Sequence, residues 1–297
     1  MKNSFKLILL MTVLLWPGCQ NSQRPVAGEP EVITSGFQFT EGPLWHTDGF
    51  LIFSDIPAGI VYKWVPGEEE SEIYLQPSGN SNGISDAGNG SLILAQHAGR
   101  ISALSQDMEL TPVVEEYEGK RLNSPNDVVV RSDGLIYFTD PPFGVSGEER
   151  ELDFSGVYRI NPDNSLTLIY DDFSLPNGIA FSPDETSLYV NDSETGQIIR
   201  FDVDEDGDVE NLVRFANIGA MNEDGWGADG MKTDSEGRLY TTGPNGLIVF
   251  DDRGTQIYQR RFENQITNLA WGGGENNQLF ITSHGDVYRL PINATGW

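Results

Sequence analysis

NSPNDVVVRSDGLIYFTD, residues 123–140, decides the architecture. Three valines follow the polar pair Asn126-Asp127, a Ser-Asp-Gly turn interrupts them, and the apolar run LIYF ends on Thr139-Asp140. β-Branched and aromatic residues on either side of Asp-Gly signal two strands joined by a tight hairpin. The same pattern recurs outward along the chain in FTEGPLWHTDGFLIFSD, NSNGISDAGNGSLILAQH, LPNGIAFSPDETSLYVND, GADGMKTDSEGRLYTTG and ITNLAWGGGENNQLFITSH. A third strand follows each (IVYKWV, RISAL, GVYRI, QIIRF, GLIVF, DVYRL), and most add a fourth (SEIYLQ, LTPVVEEY, LTLIYD, NLVRFA, TQIYQRRF). Six such repeats predict an all-β, six-bladed β-propeller with four antiparallel strands per blade. No long amphipathic helical period competes with this reading.

The last repeat lacks a fourth strand, and EVITSG (31–36) precedes the first with no hairpin partner. This N-terminal strand is therefore expected to complete the last blade and close the ring. Residues 31–297 then form a single propeller domain. Residues 1–18, two lysines followed by an apolar run, read as a signal peptide. Cys19, the only cysteine, would be the first mature residue and resembles the acylated cysteine of bacterial lipoproteins. Residues 19–30 would be a flexible tether. The expected location is the periplasm or cell envelope, lipid-anchored through Cys19, with the propeller a monomer.

The formal charge is −27, and loss of the leader with Lys2 and Lys6 takes it to −29. Such a surface repels nucleic acid, so no nucleic-acid partner is expected. The acid-rich DVDEDGDVE (202–210) has Val213 where an EF-hand loop needs glutamate, so it reads as a hairpin turn. Ser85, Ser124 and Ser283 lack a nucleophile-elbow context.

Aligning the inner strands brings Glu41, Asn82, Asn126, Asn177, Asp229 and Asn268 to one repeat position, spaced 41, 44, 51, 52 and 39 residues apart. In a propeller these positions surround the central channel. The second strand returns to the same end, where Asp55, His97, Asp140, Asp192, Gly243 and His284 form a second ring. Asn-Gly and Asp-Gly are ordinary turn dipeptides, but apolar strand residues follow these at once. Carboxylate and amide oxygens without sulfur favour a hard cation, Ca²⁺ first, with Mg²⁺ or Mn²⁺ next and Zn²⁺ behind them.

These motifs resemble those of the senescence-marker-protein/gluconolactonase/regucalcin family of six-bladed propellers, which includes lactonases and is related to diisopropyl fluorophosphatase. The resemblance covers about residues 36–293 and implies that Glu41, Asn126, Asn177 and Asp229 bind a divalent metal. It also implies a place beside that metal for His284, and substrate contact for Asn126. Asn82, His97 and Asp140, in the two rings, are expected to join in binding substrate. Animal members carry a sugar-contacting arginine where this chain has Ser124.

The implied activity is opening of a sugar lactone, with the cation polarising the carbonyl, Asp229 as general base, and His284 or His97 assisting. Two alternatives are hydrolysis of phosphotriesters or other esters at the same metal, and a non-catalytic propeller binding sugar or protein. The insertion PPFGVSGEERELDFSG (141–156) is either a lid over the mouth or a disordered acidic loop. His46, mid-strand, is read as structural.

Overall fold

Each repeat closes into its own four-stranded antiparallel sheet. The computed structural model describes residues 24–297, and the leader and Cys19 lie outside the described residues. Blade 1 runs through Thr40–His46, Phe50–Asp55, Ile60–Trp64 and Glu72–Leu75, in that order from the axis outward. Blades 2 to 5 repeat this order, with inner strands Ser81–Asp86, Val128–Val130, Pro176–Phe181 and Met231–Thr233. Blade 6 takes Ile266–Gly272, Gln278–Ser283 and Asp286–Pro291 from the C-terminal end and Glu31–Ser35 from the N-terminal end.

The expected closure by the N-terminal strand is therefore present. Glu31 pairs with Arg289 and Ser35 with Asp286. Residues expected in the tether also run beside this seam. Val26 bridges Ile292, and the Ala27 amide donates to Pro291 O at 2.9 Å.

Both faces of a blade are covered by its neighbours, so strands such as Ile266–Gly272 are buried throughout. Among the described residues, six apolar clusters form, one at each interface between adjacent blades. Burial there, at about 25 cal/mol per Å² of apolar surface, is what holds the ring together. Residues 202–210 form the expected hairpin turn, with Asp204 Oδ1 accepting the Asp208 amide at 2.8 Å. The stretch LTPVVEEY is shorter as a strand than its pattern suggests. It ends at Val114, and Glu116–Tyr117 pairs instead with Lys120–Arg121.

Buried polar side chains stitch the blades near the axis. Ser54 Oγ donates to Asn82 O at 2.8 Å, Thr139 Oγ1 to Asn177 O at 2.7 Å, and Asn191 Nδ2 to Asp229 O at 2.5 Å. Each donor sits at the end of a second strand, and each acceptor is the backbone of the next blade's inner-ring residue. A satisfied buried hydrogen bond of this kind fixes the register between blades.

The glycines that follow ring residues have the same cause. A Cβ on Gly42 would lie 1.8 Å from Asn82 O, and Gly42 adopts φ +49°. A Cβ on Gly178 would lie 2.4 Å from Asp229 O. Asn-Gly is here a close approach of inner strands rather than a turn.

Candidate functional site at the propeller mouth

Four of the inner strands carry a β-bulge at the ring position. The pairing skips between Glu41 and Leu44, Ser81 and Ile84, Pro176 and Ile179, and Ile266 and Leu269. In blades 3 and 5, Asn126 and Asp229 stand just before the regular strand. Asn82, Asn177 and Asn268 are left unpaired by the skip, and Glu41, paired with Ser54, stands at its edge, so these side chains turn off the pleat toward the axis.

Glu41, Asn82, Asn126, Asn177 and Asp229 consequently line one cavity of about 390 Å³, with His97 and His284 above them. Asn268, the sixth ring member, serves Glu41. Its Nδ2 donates to Glu41 Oε2 at 2.9 Å, and that oxygen also accepts the Gly42 amide at 2.8 Å.

The two carboxylates are buried at the floor of this cavity. Burial pushes Glu41 up to about 7, against hydrogen bonds from Gly42 and Asn268 that act the other way. Burial, with the nearby charges of Glu41 and Asp127, pushes Asp229 well above the usual carboxylate range. Two such groups cannot both ionise cheaply without a cation between them. Asn82 Oδ1 and Asn177 Oδ1 are also buried and have no hydrogen-bond partner among the described residues. Their amide nitrogens are engaged elsewhere, Asn82 Nδ2 3.2 Å from His97 Nε2 and Asn177 Nδ2 donating to Ser193 Oγ at 3.1 Å.

Orphaned amide oxygens beside two strained carboxylates are the donor chemistry of a hard divalent cation. Among the described residues, no group of three or more His, Cys, Asp or Glu forms a metal cluster. The oxygen donors at the cavity floor are two acids and neutral amides.

The second ring divides by role. Asp55 accepts the Gln38 and Phe39 amides, Asp140 the Asn123 amide at 2.8 Å, and Asp192 the Ser174 and Leu175 amides. Each aspartate holds the segment that enters its own blade's inner strand. Asp140, expected to contact substrate, is thus turned into backbone and is absent from the cavity wall, and burial pushes it up to about 7. His97 remains in the wall, and burial lowers it to about 4, so it is neutral near pH 7. His284 sits at the exposed rim between Phe39 and Trp226, with ring centroids 5.1 and 6.0 Å away. His46 stacks on Phe50 and takes no part.

The insertion after Asp140 is a wall of the site. Ser124 Oγ donates to Pro141 O at 2.6 Å and accepts the Gly144 amide at 2.8 Å. Gly144 lies so close to the His97 ring that a Cβ would be 2.6 Å from His97 Cβ. Phe143 then lines the cavity, together with the apolar Phe39, Ile56, Met221 and Trp226. The place of the animal members' arginine is filled by a serine that pins a loop.

Sequence reasoning missed the ion pair under the ring. Asp127 Oδ2 lies 4.0 Å from Lys232 Nζ and accepts the Ile179 amide at 3.4 Å. Blade 5 thus reaches blade 3 across the channel. Both charges reach Glu41, where Asp127 adds to the upward shift and Lys232 acts against it. No local pattern links the two residues, which stand in the NDVVV and DGMKT stretches.

The model of the SMP-30/Gluconolactonase/LRE-like region matches residues 39–285. The chain belongs to this family. It is 34% identical to the gluconolactonase of Zymomonas mobilis over 294 residues, covering 90% of this chain and 82% of that one. The family is also seen in a solved gluconolactonase from Xanthomonas campestris, 30% identical, with a TM-score of 0.80 and 91% of each chain covered. Regucalcin of Agrobacterium tumefaciens, described as a calcium-binding protein, matches with a TM-score of 0.74 at 18% identity, covering 90% of this chain and 97% of that chain. At that identity it shows the fold alone. Membership and the lactonase relatives identify the chain as a lactone hydrolase, taking a small-molecule lactone.

Proposed function

We propose that the protein opens sugar lactones in a reaction that depends on a divalent cation at the inner ring. The observation that carries this reading is the floor of the cavity, where two buried carboxylates face unpartnered amide oxygens. Glu41, Asn126, Asn177 and Asp229 would hold the cation, calcium by the chemistry of the donors. When bound, it supplies Lewis-acid polarisation of the lactone carbonyl.

The chain's own residues account for the rest. Asn268 fixes the Glu41 carboxylate. Asp229, on the cavity floor, takes a proton from the attacking water. The water oxygen bonds to the carbonyl carbon, the ring C–O bond breaks, and the ring oxygen leaves protonated as the hydroxyl of the hydroxy acid. His97, neutral and hydrogen-bonded through Nε2, binds substrate without carrying charge. His284 contacts substrate at the rim, and Phe143 and Trp226 exclude water from it.

Acids line the cavity at Glu41, Asp224 and Asp229, and among the described residues neither lysine nor arginine does. A neutral lactone is therefore favoured over a phosphorylated one. We infer an envelope location from the leader and Cys19 alone. The test is pH-stat hydrolysis of δ-gluconolactone, a pentonolactone and a phosphotriester by the wild type and Asp229→Asn. Turnover of the lactones, lost in the variant, supports the reading. Turnover of the phosphotriester alone, or full lactone activity in Asp229→Asn, contradicts it.

A further inference from the structure

A second, polar cavity of about 280 Å³ adjoins the first between blades 5 and 6. Trp226 and Gln265 line both cavities. The second opens where the outer ring lacks a side chain: blade 5 carries Gly243 where other blades carry Asp or His, and a Cβ there would lie 2.5 Å from Ile218 Cδ1. The turn 243–246 forms one bank, and the connection 261–265 into blade 6 forms the other. Gln265 joins the two sites physically, since its Oε1 lies 3.3 Å from His284 Nε2 at the rim of the first.

The chemistry of this groove differs from that of the catalytic cavity. Asn245, Asn264 and Gln265 line it with side-chain amides; Asn264 Nδ2 donates to Asp286 Oδ2 at 3.4 Å and Gln265 Oε1 faces His284, which leaves the Asn264 oxygen, the Gln265 nitrogen and the Asn245 amide for a ligand. Arg261 is exposed and has no ion-pair partner within 4.0 Å among the described residues, in contrast to Arg253 and Arg260 of the same blade. Among the described residues, no carboxylate lines the groove. Trp226 and Phe262 add aromatic surface. Paired amides and a guanidinium match vicinal hydroxyls, and aromatic surface matches the C–H face of a pyranose. The catalytic cavity alone lies near the lower end of the size of small-ligand pockets, about 300–1,000 Å³, and the groove adjoins it at Trp226 and Gln265.

Resting on the lactonase reading, we propose that the groove beside Trp226 is a subsite for a second sugar, so that the preferred substrate is a glycosylated aldonolactone. The lactone ring occupies the cavity over Glu41 and Asp229, and the attached neutral sugar lies against Trp226 within reach of Asn245, Asn264 and Arg261.

The test compares kcat/KM for cellobiono-δ-lactone and maltobiono-δ-lactone with that for δ-gluconolactone, in the wild type, Asn245→Ala and Arg261→Ala. At least one disaccharide lactone should be the better substrate. The two variants should lower its kcat/KM by roughly tenfold, the loss of one good hydrogen bond to a charged or amide group, and leave δ-gluconolactone within about twofold. If δ-gluconolactone is hydrolysed and neither disaccharide lactone exceeds it, the subsite is refuted while the lactonase reading stands. Equal slowing of both substrate types in the variants refutes it too. Failure to hydrolyse any of the three overturns the lactonase reading and the subsite with it.

Discussion

Replacing Glu41 by Gln in chelator-treated protein should stabilise the fold increasingly as pH rises. Glu41 is fully enclosed, and burial moves it from 4.5 to about 7. Between those values the folded state holds more protons than the unfolded state, so stability falls as pH rises through the window. A shift of this size corresponds to about 3 kcal/mol, fully expressed above pH 7. Relief of the Glu41 charge on Asp229 acts in the same direction.

Other groups complicate the wild-type profile taken alone. Asp140, also pushed up to about 7, contributes with the same sign. His97, pushed down to about 4, contributes with the opposite sign, since its unfolded form gains a proton first as pH falls. Both cancel in the difference between variant and wild type. In thermal melts with excess chelator, the melting temperature of Glu41→Gln minus that of the wild type should grow between pH 5 and pH 8 by on the order of 10 °C. Saturating Ca²⁺ at pH 8 should reverse the sign, because only the wild type keeps the carboxylate ligand. A difference that stays constant with pH would refute the electrostatic account of the ring.

Three further outcomes follow from named contacts. Ser124→Ala removes both hydrogen bonds that hold the 141–144 segment over His97, and should raise KM for a lactone several-fold with kcat little changed, read by steady-state kinetics. Lys232→Met removes the positive charge below the ring and should tighten Ca²⁺ binding by roughly tenfold in calorimetric titration, while Asp127→Asn weakens it. Gly42→Ala forces a Cβ against Asn82 O at positive φ and should cost roughly 3 kcal/mol or more of stability in denaturant unfolding.

The blades and the closing strand were legible because a propeller repeats one hairpin pattern, so each repeat confirms the others. Glu41, Asn126, Asn177 and Asp229 were legible for the same reason: the alignment that finds the blades also superimposes the residues at the axis. Glu41 stands alone as an awkward glutamate in FTEGPLWH, and acquires its meaning only from the five equivalent positions.

Repeat position does not reveal which way a side chain turns. Asp140 and His97 occupy equivalent places, yet the aspartate accepts the Asn123 amide behind the wall while the imidazole stays in the cavity. A carboxylate at a strand end next to free amides is drawn to them, and an imidazole is not. The Asp127–Lys232 pair was hidden because it joins blades across the axis, at a separation set by the closed ring and by no local period. The part played by Ser124 depends likewise on where the inserted loop folds back.

The most direct test is restoration of activity after metal removal. Purified protein is stripped with chelator, assayed on δ-gluconolactone by pH-stat, and assayed again after titration with Ca²⁺, beside Glu41→Gln treated identically. The account predicts loss of hydrolysis on stripping, recovery saturating at one Ca²⁺ per chain in the wild type, and no recovery in the variant at the same concentrations. Full lactone hydrolysis by the stripped wild type, or equal recovery in Glu41→Gln, would contradict it.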